Sequence, residues 1–440
     1  MTIKSRHARV ERPKAAARGG PLAGLRVLDI ATMIAAPLTA SILGDYGADV
    51  VKIEMPGAGD TVRKLGEQRN GVGLYWKTLS RNKRSVALDL RHPDARLLFL
   101  RWLPQFDVLI ENFRPGTLER WNLSPEHLRE IHPGLVILRM TGFGQAGPYR
   151  SRQGFGTLAE AMSGIASVMV RDIRGFPRDR PALTSFPLGD VTAGLMGVNG
   201  ILAALWRRER SGVGEIIDLA IYEALLKFME LEVLRFTDAP DSEPDPEEKR
   251  QPDAAPRGVY RCKDGRWMAL SGSAQPVAER ILSLIGGEPL LADPRFRTNA
   301  LRVAHVDELD AIIEQWCRTR TQEECIAALS AAGGAAGPVC SVETLLANPQ
   351  VRAREAFVDV EDEDAGRLRM TNILPQFAGH ERPPPRPGPS AVGADTLDVL
   401  ASDLALGADE IARLRHAGAI GGPDAPSGPA PALRSHPAEG

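Results

Sequence analysis

The sequence has almost no excess charge of either sign: 54 Lys and Arg stand against 56 Asp and Glu in 440 residues, a formal net charge of -2. That balance excludes the strong basic bias of a dedicated nucleic-acid binder and points to small molecules or protein as partners. Cysteine is scarce. Cys262, Cys317, Cys325 and Cys340 form no C-x-x-C pair and lie far from most of the eight histidines. This excludes a disulfide framework or a sequence-evident zinc site, and a reducing, cytoplasmic setting is expected. No run of about 18 consecutive apolar residues occurs, so no membrane span is expected. The sequence also lacks a G-x-x-x-x-G-K-[ST] phosphate loop, a G-x-S-x-G elbow and an H-E-x-x-H pair. ATP chemistry, serine hydrolysis and zincin chemistry therefore have no motif to support them.

What remains is ordinary globular composition, 43% apolar and 25% charged, in a chain long enough for about two or three domains. Residues 1–20 are basic with a single acid, Glu11, and no apolar core. They read as a disordered tail rather than a secretion leader. From residue 21, short β-branched runs alternate with helical periodicity. LRVLDIA (25–31), DVVKIE (49–54), RSVALDL (84–90), DVLIENF (107–113) and a run from 134 read as strands, with helical patterns such as APLTASILGDYGA and DARLLFLRWLPQ between them. This alternation predicts an α/β fold with a largely parallel sheet, whose ligands bind beyond the carboxyl ends of the strands. Residues 191–235 read as mostly helical around a strand in SGVGEIIDLA. The acidic, Pro-rich stretch 238–256 reads as a linker, 257–350 as a small α+β domain, 380–390 as an extended Pro-rich segment, and 421–440 as a disordered tail.

Gly142, Gly144 and Gly147 form a literal G-x-G-x-x-G after a strand, but Pro148 follows at once and no helix opens, so a dinucleotide fingerprint is not expected. Asp190 follows a Gly and precedes a long helical pattern. It reads as a helix N-cap, and a carboxylate at a positive helix end can also serve as a covalent nucleophile. Asn82 to Ser85 (NKRS), Arg63, Arg91 and Arg120 are candidate phosphate contacts, each equally readable as a surface charge.

Taken in order, RVLDIA, APLTASILGDYGADVVKIE, NKRSVALDL, ENFRPGTLERW, TGFGQAGPY, GDVTAGL and SGVGEIIDLAIYEAL resemble the family III CoA-transferases, over about residues 21–420. The resemblance implies a Rossmann-like large CoA-binding domain (21–237) completed by residues 351–420, a small domain, and an interlocked homodimer. It implies Asp190 as the catalytic nucleophile, and CoA contacts at Ile34, Ala35, Leu88, Asp89, Leu90, Arg91, Asn112, Phe113, Arg120, Gln153, Gly154, Phe155 and Gly156. The implied chemistry is metal-free. Coenzyme A is a substrate carried from an acyl-CoA donor to a carboxylic acid acceptor, through an aspartyl anhydride and an aspartyl-CoA thioester. Three positions depart from relatives within the resemblance. Ile34 replaces a CoA-contacting glutamine of formyl-CoA transferase, that enzyme's glycine-run loop has no counterpart before Trp267, and Phe155 stands where acyl-CoA racemases of this fold carry a catalytic His. An acyl-CoA racemase and a non-catalytic CoA-binding protein are the alternatives. Arg171, Arg174, Arg178 and Arg180, shortly before Asp190, are candidate partners for a second carboxylate on the acyl group.

Overall fold

The computed structural model describes residues 19–169, 181–238 and 254–422. The basic N-terminal tail up to residue 18, the four arginines of 171–180, most of the acidic linker and the C-terminal tail lie outside the described residues. The chain divides into two compact units, one of residues up to 166, 183–231 and from 355, the other mainly of residues 232–354.

In the first unit, short β-branched runs, buried on both faces in all but the last, become six strands: β1 (Arg26–Asp29), β2 (Asp49–Glu54), β3 (Lys83–Ala87), β4 (Val108–Glu111), β5 (Val136–Thr141) and β6 (Ile216–Ala220). They align in the order β3-β2-β1-β4-β5-β6, every pair parallel. The order reverses between β1 and β4, which opens a crevice beyond their carboxyl ends. Alternate residues feed two cores. Leu28, Val51, Leu109 and Ile137 join Phe99, Trp102 and Phe106 on one face, while Val27, Val50, Val108 and Val136 meet Ala36, Ala40, Ile201 and Leu205 on the other.

The helices that matter for the site are α1 (Ala35–Asp45), α2 (Pro93–Trp102), α3 (Gly156–Met162), α4 (Leu188–Ser211) and α5 (Ile221–Asp238). α4 follows Pro187, ends at Gly212 in the left-handed region (φ 72°) and carries Arg208 and Arg210 in its last turn, a favourable sign at a negative helix end. By length and composition α4 is apolar enough to cross a membrane. Its apolarity has a local account, because Ala193, Gly197, Val198, Ile201 and Leu205 are buried in the second core.

Edge strand β3 is closed by distant chain. Ser85 N–H donates to Asp395 Oδ2 (2.7 Å), Ala87 N–H to Thr396 Oγ1 (2.9 Å), Asp89 N–H to Ala419 O (2.9 Å) and Gly421 N–H to Ala87 O (3.0 Å). The ladder to β2 thus ends at Ala87, three residues before the end of the strand expected from sequence, as residues 88–89 turn to pair with the C-terminal segment.

The second unit has an antiparallel three-stranded sheet, with Trp267–Ser271 between Arg257–Arg261 and Ala335–Pro338. Helices Gln275–Leu291, Val306–Arg318 and Gln322–Ala331 accompany it, over a core of Tyr260, Met268, Leu270, Ile281, Ile313 and Trp316. Cys262, Cys317 and Cys325 are buried free thiols and Cys340 is an exposed one.

Candidate active site

The crevice at the strand-order reversal is shaped first by the β1–α1 loop, residues 30–34, which is held from several sides. The Asn112 carboxamide, just beyond β4, accepts from Thr32 N–H (2.8 Å) and donates to Thr32 O (2.7 Å). Asp60 Oδ1 accepts from Met33 N–H (3.2 Å), and Met33 has φ 70°, a left-handed conformation that a long side chain keeps only where its surroundings enforce it. Beneath the loop, Lys83 Nζ pairs with Asp29 Oδ2 (2.8 Å) and Lys52 Nζ with Asp60 Oδ2 (3.1 Å), all four side chains being buried.

α3 brings Gly156 and Glu160 to the same place, and the first turn of α4 brings Asp190. Together with Met33, Ile34, Phe155, Thr157 and residues 183–187 they line a cavity of about 330 Å³. The Asp190 carboxylate packs directly on Gly156. A Cβ at Gly156 would sit 2.1 Å from Asp190 Oδ2, so the absence of a side chain at 156 is what lets the carboxylate lie there. A second close approach sets this turn, since a Cβ on Gly142 would lie 2.5 Å from the Gly154 Cα.

The structure overturns the reading of Asp190 as the helix cap. α4 begins two residues earlier, after Pro187, and Asp190 lies in its first turn with no capping hydrogen bond. The cap comes from another helix. Glu160 Oε1 accepts from Gly189 N–H (3.2 Å), and Glu160 Oε2 accepts from the Thr184 hydroxyl (2.9 Å) and Thr184 N–H (3.4 Å). Among the described residues nothing hydrogen-bonds the Asp190 carboxylate. Burial, with the nearby Glu160 charge adding to it, pushes the Asp190 carboxyl up to about 6. These two effects outweigh the stabilisation of an anion at a helix N-terminus, about 0.3–1 kcal/mol at an exposed site. A carboxyl with that proton affinity is still roughly nine-tenths ionised at pH 7. It is therefore a comparatively basic, unshared carboxylate facing a cavity.

The other expected site residues fall on the same carboxyl-end side of the sheet in different states. Ile34, Phe155 and Gly156 line the cavity with Asp190. Ala35 is buried at the start of α1. Leu88 and Leu90 are buried in the core, so Asp89 and Arg91 are the side chains of that run left for a ligand; they pair with each other (2.8 Å). Asn112 spends its carboxamide on Thr32, and Phe113 meets Trp121 edge-on at 5.2 Å. Arg120 is exposed and donates to Thr117 Oγ1 (3.0 Å), Gln153 is exposed, and Gly154 packs on Gly142.

Phosphate roles for the NKRS run and Arg63 are overturned. Lys83 is buried on Asp29, Asn82 is buried with its amide on Asp45 Oδ1 (2.7 Å), and Arg84 is bidentate on Asp49. Ser85 donates to Glu54, whose carboxylate also grips Arg63 at 2.7 Å. Arg63 stacks on Trp76 (3.6 Å) and donates to the backbone carbonyls of 389–391. The Pro-rich stretch expected to be extended is the strap that these donors hold.

Sequence reasoning missed Glu160, Thr184 and Met33. Glu160 is a single acid on a short helix 30 positions before Asp190, and no local spacing connects the two.

Across most of its length the chain is similar to known proteins. Residues 22–396 match the family model for CoA-transferase family III. Succinyl-CoA–D-citramalate CoA-transferase of Chloroflexus aurantiacus is 36% identical over 401 residues, 90% of this chain and 97% of that protein. Succinate–glutarate CoA-transferase of Agrobacterium fabrum is 32% identical over 382 residues, 84% and 94% of the two chains. A crystal structure of a CaiB/BaiF family protein from Brucella suis is similar with a TM-score of 0.73 at 29% identity, covering 88% of this chain and all of that one.

Proposed function

The chain belongs to CoA-transferase family III and is an enzyme that moves CoA between an acyl-CoA and an acid, and from that premise we propose that Asp190 carries the transfer covalently. The observation that carries this reading is the Asp190 carboxylate on the cavity wall against Gly156, with no hydrogen bond among the described residues. In the proposed cycle an Asp190 oxygen attacks the thioester carbonyl of the donor. The C–S bond breaks and a mixed anhydride forms with release of CoA thiolate. The thiolate then attacks the Asp190 carboxyl carbon, expelling the donor acid and leaving an aspartyl-CoA thioester. The acceptor carboxylate attacks that thioester and displaces the thiolate, which takes the acceptor's acyl carbon from the second anhydride and regenerates Asp190. Each bond broken is matched by one formed, so no ATP is needed. A carboxylate is a weak nucleophile, which makes raised basicity and fixed placement the levers available.

Coenzyme A is proposed to lie along the carboxyl ends of the strands. Ile34, Ala35, the backbone of the run Leu88 to Arg91 with the Asp89 and Arg91 side chains, Asn112, Phe113 and Gln153 to Gly156 form the wall, and Arg91 and Arg120 are exposed cations for its phosphates. Succinyl-CoA is the first donor to try, because the similar Chloroflexus enzymes are named for it. A cytoplasmic homodimer is proposed as the working form. Exposed Leu226, Phe228 and Leu231 on α5 supply apolar surface for a second copy.

The test is the mass of the protein, and of its Asp190 peptide, after exposure to acyl-CoA donors without acceptor. A CoA-sized adduct on Asp190, lost in Asp190→Asn together with acyl exchange, is expected. Undiminished exchange by Asp190→Asn would sink the proposal.

A further inference from the structure

We propose that Glu160 is a positioning residue for the transfer, one that caps α4 from outside and is itself gripped by Thr184, so that Asp190 is placed by its backbone while its carboxylate stays free. The inference rests on the reading of Asp190 as the nucleophile.

An acidic residue in the first turn of a helix can spend its carboxylate on a free backbone N–H, but the N-cap here is Pro187, which has none to offer Asp190. A carboxylate that accepts such bonds is stabilised as the anion and becomes less basic. In this chain Glu160 satisfies a free N–H of the first turn from outside, because its Oε1 takes the N–H of Gly189, the residue immediately before Asp190. Its Oε2 is held by the Thr184 hydroxyl at 2.9 Å, whose proton is shared with Phe186 O, and by Thr184 N–H at 3.4 Å, so the segment leading into α4 is tied to α3 at both ends. Glu160 is only 4% exposed, and these three donors are what make a buried carboxylate tolerable there. The arrangement sets two carboxylates near each other and hydrogen-bonds only the one that does not react. The other described neighbours of this turn are uncharged: Met33, Ile34, Phe155, Leu225 of α5 and residues 183–187. Among the described residues Glu160 is thus the charged group that acts on Asp190.

Three variants separate this role from simple structural support. Glu160→Gln keeps an acceptor for Gly189 N–H but removes the like charge. The acidic limb of the pH profile for Asp190 adduct formation is expected to move down from near 6, stopping short of an ordinary aspartate because burial, the larger cause, persists. Thr184→Val, which frees one side of Glu160, is expected to lower kcat about tenfold with KM for acyl-CoA nearly unchanged, and Thr184→Ser to restore it. The inference is overturned if Glu160→Gln leaves the limb in place and Thr184→Val retains wild-type kcat while an Asp190 adduct still forms. If instead Asp190→Asn exchanges acyl groups normally, it is the nucleophile assignment that fails.

Discussion

Asp190→Asn should make the protein more stable while removing its activity. Burial and the Glu160 charge raise the Asp190 carboxyl from 3.8 to about 6 in the folded state. Each unit of such a shift corresponds to about 1.4 kcal/mol, so the ionised group costs the fold about 3 kcal/mol at most, and about 1–3 kcal/mol once its partial exposure to water is allowed for. The folded-state value lies above that of an unfolded aspartate. The cost is therefore absent below about pH 4, grows between pH 4 and 6, and is complete above 6. An asparagine carries no charge at any of these values and nearly the same shape, so it should recover the difference. Thermal melts at pH 7.5 should show the variant unfolding about 2–6 °C above the parent, and the gain should fall to about half at pH 5. A variant that melts at or below the parent at pH 7.5, or a gain that does not shrink on acidification, would refute the account of why this carboxylate is basic. The expected pattern is that of a site whose reactivity is held at the expense of stability.

Gly156→Ala puts a methyl 2.1 Å from Asp190 Oδ2 and should displace the carboxylate, cutting kcat by about a hundredfold or more in steady-state assays; activity near that of the parent would show that the Oδ2 position is not the reacting one. Asn112→Ala removes both bonds to Thr32 and should cost about 1–3 kcal/mol in denaturant titration, together with faster amide exchange in residues 30–34. Asp29→Asn leaves the buried Lys83 ammonium without its counter-ion and should cost about 3–5 kcal/mol, whereas a surface pair such as Arg318 with Glu314 should contribute below about 1 kcal/mol.

The sheet was readable from sequence because each of its strands is a short β-branched run set off by polar or glycine-rich chain, a signal that local periodicity carries. Its strand ends were read less well. Residues 88–90 look like more strand, yet partners more than 300 positions away decide where β3 stops. Partners on other strands and on the distant strap explain the misread cations. Nothing near Lys83 or Arg63 announces that Asp29, Glu54 and the carbonyls of 389–391 will occupy them. Asp190 was found through an ordered set of motifs rather than through its neighbours, since taken alone it looks like a cap. Glu160, which does the capping, was invisible for a complementary reason: a cap supplied from another helix leaves no spacing rule to find.

The closure of β3 by residues 395–421 also sets a timetable for synthesis. Strands β1 to β6 and the whole inserted second unit are made before the chain that covers the sheet's edge exists. During that interval the outer side of Ser85 to Asp89 is an unpaired strand, the type of surface on which chains join one another in error. A nascent chain stalled anywhere between residues 240 and 390 should therefore be the species most in need of a chaperone. Release from that dependence should coincide with the arrival of Asp395 and Thr396 rather than with completion of the catalytic crevice.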